Sequence, residues 1–185
     1  MKKIILSAIA IMTIGFANAQ ENSIKANPLS ALFGGNDLVS FEHKIADKGT
    51  LALGLGYSSL TVGETTYADY GAELQYRFYF EDAFKGWYAG PNVGYSAGSV
   101  KSEYLSFYGN GGTKTYEDKR TKLQIGARAG YQWVFGSGFT LDLNLGLAYN
   151  KYTYNFGDTT NESLQSGYKA SGILPNFGLG LGYTF

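Results

Sequence analysis

An all-β fold, an up-and-down antiparallel transmembrane β-barrel of about eight strands, is what this sequence predicts. Three observations predict it. Bulky and small residues alternate with period two along most of the chain, glycine dominates the small parity, and the connections between alternating segments are short and long in turn. Strict alternation marks a strand with two unlike faces. Short turns at one end and long loops at the other are the asymmetry of outer-membrane barrels.

The chain opens with a segment that reads as a signal peptide over residues 1–19: Lys2 and Lys3, the apolar run "IILSAIAIMTIGFA", then Ala17-Asn18-Ala19 before Gln20. The barrel domain is expected over residues 20–185. Its first strand candidate, "SIKANPLSALF", is the weakest, because Pro28 cannot donate to a ladder. "LVSFEHKI" places Val39, Phe41, His43 and Ile45 on one face, and "TLALGLGYS" does so with Leu51, Leu53, Leu55 and Tyr57. "YGAELQYRFYF" sets Tyr70, Ala72, Leu74, Tyr76, Phe78 and Phe80 against Gly71, Glu73, Gln75, Arg77 and Tyr79. "WYAGPNVGYSAG" follows the same rule. "TKLQIGARAGYQWVF" sets Leu123, Ile125, Tyr131, Trp133 and Phe135 against Lys122, Gln124, Gly126, Arg128 and Gly130. "FTLDLNLGLAYN" and the closing "GILPNFGLGLGYTF" complete the set.

The connections are "ADKG", "EDAFKG" and "GSG" at one end, and "SLTVGETTYAD", "SVKSEYLSFYGNGGTKTYEDK" and "KYTYNFGDTTNESLQSGYK" at the other. The first hairpin is the exception, with a tight "GGND" where the order asks for a long loop. In a soluble sandwich or barrel the second parity would face water and carry Lys, Glu and Thr. Here it carries Gly54, Gly56, Gly90, Gly94, Gly126, Gly130, Gly146, Gly178, Gly180 and Gly182, which fits the crowded interior of a small barrel. Phe78, Phe80, Trp87, Trp133, Phe135, Phe139, Tyr183 and Phe185 gather at the short-turn end, and Tyr57, Tyr70, Tyr95 and Tyr149 at the other, as two interfacial girdles would.

Composition narrows the chemistry. Among 185 residues there are 26 Gly, 16 Tyr, 12 Phe and 2 Trp, no Cys, and 15 basic against 15 acidic side chains. Zero formal charge recommends no nucleic acid as partner. The lack of cysteine removes disulfides, thiolate metal sites, thiol nucleophiles and lipidation at an N-terminal cysteine.

The leader, the opening "KANPLSALFGGNDLVSFEHKIADKGTLALGLGY" and the closing "FGLGLGYTF" together resemble the small uncharacterised outer-membrane β-barrel proteins of Gram-negative bacteria. That is a domain-of-unknown-function group related in architecture to the small OmpA- and OmpX-like barrels. The resemblance implies a barrel in the bacterial outer membrane and offers no catalytic residues. It also implies that Leu179, Leu181, Tyr183 and Phe185 are the signal read by the barrel insertion machinery.

Candidate site residues are those charges that the alternation turns inward: Glu42, Lys44, Glu73, Arg77, Lys122, Arg128 and Asp142. Ionisable groups in a narrow tube must pair, and mixed signs allow it. They are expected to form a polar plug, with Glu73 and Arg128 as the central pair; a narrow ion or solute path is the alternative. His43, the single histidine, falls among bulky residues with no serine paired to it. Gly178, Gly180 and Gly182 share the spacing of a nucleotide-binding loop and nothing else of it, since no helix can follow. "NES" at 161–163 carries no weight as a sequon.

The functional expectation is an integral, monomeric outer-membrane protein with a structural or surface-interaction role. It contacts membrane lipid, uses its long loops for adhesion or ligand contact, and has no cofactor, metal or enzymatic activity. A narrow channel is the second reading and a lipid-modifying enzyme a distant third.

Overall fold

The structure, a computed structural model, describes residues 21–33, 35–105, 113–155 and 168–185. The expected signal peptide, the "NES" triplet and the tips of two long connections lie outside them. The elements are β1 (Asn22–Ala26), α1 (Pro28–Phe33), β2 (Val39–Ala46), β3 (Gly49–Val62), β4 (Thr65–Tyr79), β5 (Gly86–Leu105), β6 (Thr113–Val134), β7 (Phe139–Asn155) and β8 (Tyr168–Thr184). Every strand is antiparallel to its sequence neighbours, and β1 returns to pair with β8, so the eight strands form a closed ring. Backbone bonds between Asn22 and Phe185, at 2.8 and 2.7 Å, finish the seam.

The alternation expected from the sequence sets the two faces. Leu51, Leu53, Leu55, Leu143, Leu145, Leu147, Ile173 and Phe177 are exposed on the outside. Glu42, Thr50, Gln132, Thr140 and Asp142 are fully buried inside. Polar groups therefore fill the interior and apolar groups cover the exterior, the reverse of a water-soluble sheet protein.

Only the first half of "SIKANPLSALF" is strand. After β1 the chain caps a short helix: Asn27 accepts from the Leu29 amide through Oδ1 at 3.2 Å, and Pro28 occupies the first helical position, where no N–H is needed. A six-residue helix is too short for helical periodicity to outweigh strand alternation in a sequence reading. The chain then turns through Gly35, Asn36 and Asp37 inside the ring before entering β2. Gly35, Asn36 and Asp37 of the "GGND" connection thus form no ordinary outer loop; they are part of an inward plug.

The interior glycines make room for that plug. A β-carbon on Gly94 would stand 2.8 Å from Asn36 Nδ2, on Gly54 2.9 Å from the Asn36 carbonyl oxygen, and on Gly56 2.6 Å from Asn36 Cα. Gly71 faces Asn36 Oδ1 in the same way. Glycines on β3, β4 and β5 form the seat, and Asn36, 3 % exposed, occupies it.

The long connections begin later than expected. "SLTVGETTYAD" is mostly strand, since β3 runs to Val62 and β4 starts at Thr65 around a turn in which Gly63 has φ 61°. β5 and β6, with 20 and 22 residues, absorb much of the next connection. β-Branched and aromatic residues keep these segments extended after the bulky outward residues end.

At the opposite end the β4–β5 turn folds across the opening. Phe84 has φ 69°, is 2 % exposed, and packs its ring 6.4 Å from that of Tyr79. The Ala83 amide donates to the Asp47 carbonyl at 2.9 Å, tying this turn to the β2–β3 turn. Phe84→Ala is expected to cost about 3–5 kcal/mol through the cavity it leaves. Phe84→Gly should cost about 1–2 kcal/mol less, because glycine relieves the left-handed backbone. Chemical unfolding of both variants checks this; equal losses would remove strain from the account.

Candidate functional site

The ring interior is stacked in three polar levels, each placed by register. The lowest, above the Phe84 floor, is built on β1 to β7. Lys25 Nζ donates to Glu42 Oε2 at 2.5 Å, Gln132 Oε1 at 2.7 Å and Asp142 Oδ2 at 2.9 Å. Arg77 Nη1 donates to Asp142 Oδ2 at 2.5 Å and Glu42 Oε2 at 3.2 Å. Two cations and two carboxylates thus neutralise one another. Tyr79 and Tyr88 donate their hydroxyls to Glu42 Oε1 at 2.8 Å and Asp142 Oδ1 at 2.7 Å, and Thr50 gives a further bond to Glu42 at 2.5 Å. The Arg77 guanidinium lies 4.4 Å from the Tyr88 ring centre. Such charge-assisted bonds, closed off from water, fix the relative positions of seven strands, β1 to β7, with little freedom.

The middle level joins the plug to the wall. Arg128 on β6 donates to Glu73 Oε2 at 2.9 Å, the central pair expected from the sequence, and to Asp37 Oδ2 at 2.8 Å. Ser30 on α1 also donates to Asp37. Burial works against the Asp37 carboxylate, but the Arg128 charge and these hydrogen bonds outweigh it and hold the carboxyl below its usual range. Asn92 and Gln124 add bonds to Glu73, each at 3.2 Å. Beside this level lies a cavity of about 130 Å³ lined by Ser30, Asn36, Asp37, Gln124, Arg128 and Asn176 among others. Its polar walls and volume suit ordered water.

The upper level opens toward the long connections. Arg120 on β6 reaches over Gly98 to pair with Asp69 on β4, its Nε donating at 2.9 Å. Tyr152 and Tyr154 stack with ring centres 6.3 Å apart, and Tyr168 continues the row at 6.2 Å.

Of the inward charges expected from the sequence, Glu42, Arg77 and Asp142 share the lowest level, and Glu73 and Arg128 the middle one. Lys122 points inward between the middle and upper levels, half-buried, its side chain making no hydrogen bond or ion pair among the described residues. Lys44 is half-buried near the lower rim, opposite Thr50; its side chain likewise makes none there, while its backbone amide donates to the Glu21 carbonyl at 2.8 Å. Sequence reasoning passes over Lys25, Asp37, Asp69 and Arg120. Lys25 and Asp37 lie in or beside the segment that reads as a doubtful strand, Asp69 falls in a segment that reads as a loop, and Arg120 falls between a loop and the next strand segment. Parity extended by a few residues would find the last two.

His43 is exposed on the outer face, where Nδ1 meets Asn22 Oδ1 at 2.8 Å. Among the described residues no group of acidic and histidine side chains has the spacing of a metal site. Leu181 and Tyr183 are exposed on β8, and Leu179 and Phe185 half-buried.

A family model described as a protein of unknown function, DUF3575, matches residues 4–185. No curated protein and no solved structure matches the chain.

Proposed function

The chain belongs to that family of proteins of unknown function, so its role has to be read from its own geometry, and we propose that it is a bacterial outer-membrane β-barrel. In this reading it is a monomeric structural and surface-interaction protein, akin in architecture to the small OmpA- and OmpX-like barrels, and performs no catalysis. One observation carries the reading: the ring is polar and charged inside and continuously apolar outside, which is stable only where lipid, not water, bathes the exterior. The exposed aromatics support it. Trp87, Phe135, Phe139 and Tyr183 circle one rim, and Tyr57, Tyr70, Tyr95 and Tyr149 the other. Strands of 14 residues and more exceed the about 9–11 needed to cross a bilayer, so β3 to β8 project beyond it toward the long connections.

The sealed floor supports a structural role over a conducting one. Tyr79, Tyr88 and Phe84 are buried across the lower opening, and in the network above them two cations and two carboxylates are paired with one another. The long connections reach farthest from that floor and are the part offered to an extracellular ligand. The closing Leu179, Leu181, Tyr183 and Phe185 serve as the assembly signal for insertion. The signal peptide delivers the chain for export.

Cell fractionation with a heat-modifiability gel tests the reading. The protein is expected in the outer-membrane fraction, with a mobility shift on boiling and no steady conductance in planar bilayers. Recovery in the soluble fraction would overturn the membrane reading. Stable single-channel steps would instead favour the narrow channel.

A further inference from the structure

Going from the apolar belt toward the long connections, the first charged side chains on the outward parities of β6, β7 and β8 are three lysines, Lys119, Lys151 and Lys169, and all three are exposed. They stand together at one end of the ring. Lys119 lies four residues beyond Leu123, Lys151 two beyond Tyr149, and Lys169 four before Ile173, so each sits just past the belt. The opposite ends of the same strands carry Trp133, Phe139 and Tyr183 and no outward charge. None of the three lysines has an ion pair among the described residues, whereas Lys25, Arg77, Arg120 and Arg128 inside the ring are all paired.

Next to Lys119 the outer wall is hollowed. A cavity of about 370 Å³ is lined by Tyr57, Ala68, Tyr70, Ala97, Ser99 and Lys119, all on the outward parity, and is bordered also by Gly98 and the Asp69–Arg120 pair. The hollow therefore has tyrosine rings on one side, a lysine on the other and small residues for its floor.

We propose that this rim binds a lipid headgroup carrying two or more phosphates. The inference rests on the membrane-barrel reading and names the lipid that its outer face selects. By register Lys151 lies opposite Leu123, four residues nearer the belt than Lys119, and Lys169 lies opposite Thr153, so at about 3.4 Å per residue and about 5 Å per strand the three stand roughly 8–14 Å apart. That span exceeds what one phosphate can bridge and matches two on one headgroup. Ammonium groups with no carboxylate between them and the apolar belt are placed to meet phosphate oxygens, while their methylene stems lie on the apolar wall. The hollow beside Lys119 accepts the uncharged body of the headgroup against Tyr57 and Tyr70, rings suited to an interface.

The test uses the purified full chain in a neutral detergent, titrated with diphosphorylated lipid A, its dephosphorylated form and phosphatidylglycerol, with bound lipid read by native mass spectrometry. Wild-type protein is expected to retain the diphosphorylated lipid at least about tenfold more tightly than the other two. The triple variant Lys119→Gln, Lys151→Gln, Lys169→Gln should lose that preference. Equal retention by wild type and variant overturns the proposal, and so does equal binding of phosphatidylglycerol. Insertion into neutral phosphatidylcholine vesicles is measured in parallel. If wild type does not insert, the membrane reading itself fails; if it inserts but shows no lipid preference, only the phosphate site fails.

Discussion

Arg77→Met is expected to destabilise the protein by about 3–5 kcal/mol. The guanidinium donates to both Glu42 and Asp142, and Lys25 alone would be left to balance two buried carboxylates. Methionine keeps most of the volume, so the loss reports charge and hydrogen bonding more than a cavity. The pairing argument makes a second, sharper expectation. Adding Glu42→Gln to Arg77→Met restores neutrality, with Lys25 facing Asp142, and should recover about 1 kcal/mol or more. Denaturant unfolding in detergent micelles measures both. A double variant no more stable than the single one would mean that charge balance does not govern this level.

Gly56→Val should act through the plug. The new side chain would begin 2.6 Å from Asn36 Cα, and backbone cannot yield as a flexible side chain can. Overpacking of this kind costs about 1–3 kcal/mol, and here the segment from Gly35 to Asp37 is what must move. Its movement would break the Asp37 to Arg128 pair, leaving Glu73 as the partner of that guanidinium. Hydrogen exchange at Asn36 and Asp37 is expected to accelerate while β6 and β7 stay protected. Gly172→Val supplies the control, since a β-carbon there meets nothing within 4 Å. Similar exchange in the two variants would show that the plug does not depend on its glycine seat.

The ring is legible in the sequence because its two faces differ in kind at every step. From Leu51 to Tyr57 and from Phe139 to Tyr149 each residue's face follows from its parity, and the structure keeps those assignments. The plug is not legible in the same way. "PLSALF" has both strand-like and helix-like spacing, and the deciding information, Asn27 ahead of Pro28, is a capping signal and not a periodic one. The glycines rightly signal crowding, but sequence does not say that the crowding body is the chain's own Asn36. The floor is hidden for another reason. Phe84 sits in a turn, where no periodicity applies, and only its unusual φ and burial reveal that it closes the opening. Strand ends are underestimated because the outward residues cease to be bulky beyond Tyr57 and Tyr149, although the backbone ladder continues.

β1 has five residues and holds β8 through four register pairs, whereas β5 and β6 share a ladder along most of their length. What anchors this short strand is its one lysine, whose ammonium is gripped by groups from β2, β6 and β7. In the order of synthesis, then, the first strand emerges at the start but has no secure place until residue 142 has followed. Ring closure becomes a late event in time, and a chain interrupted before β7 would leave its own beginning adrift.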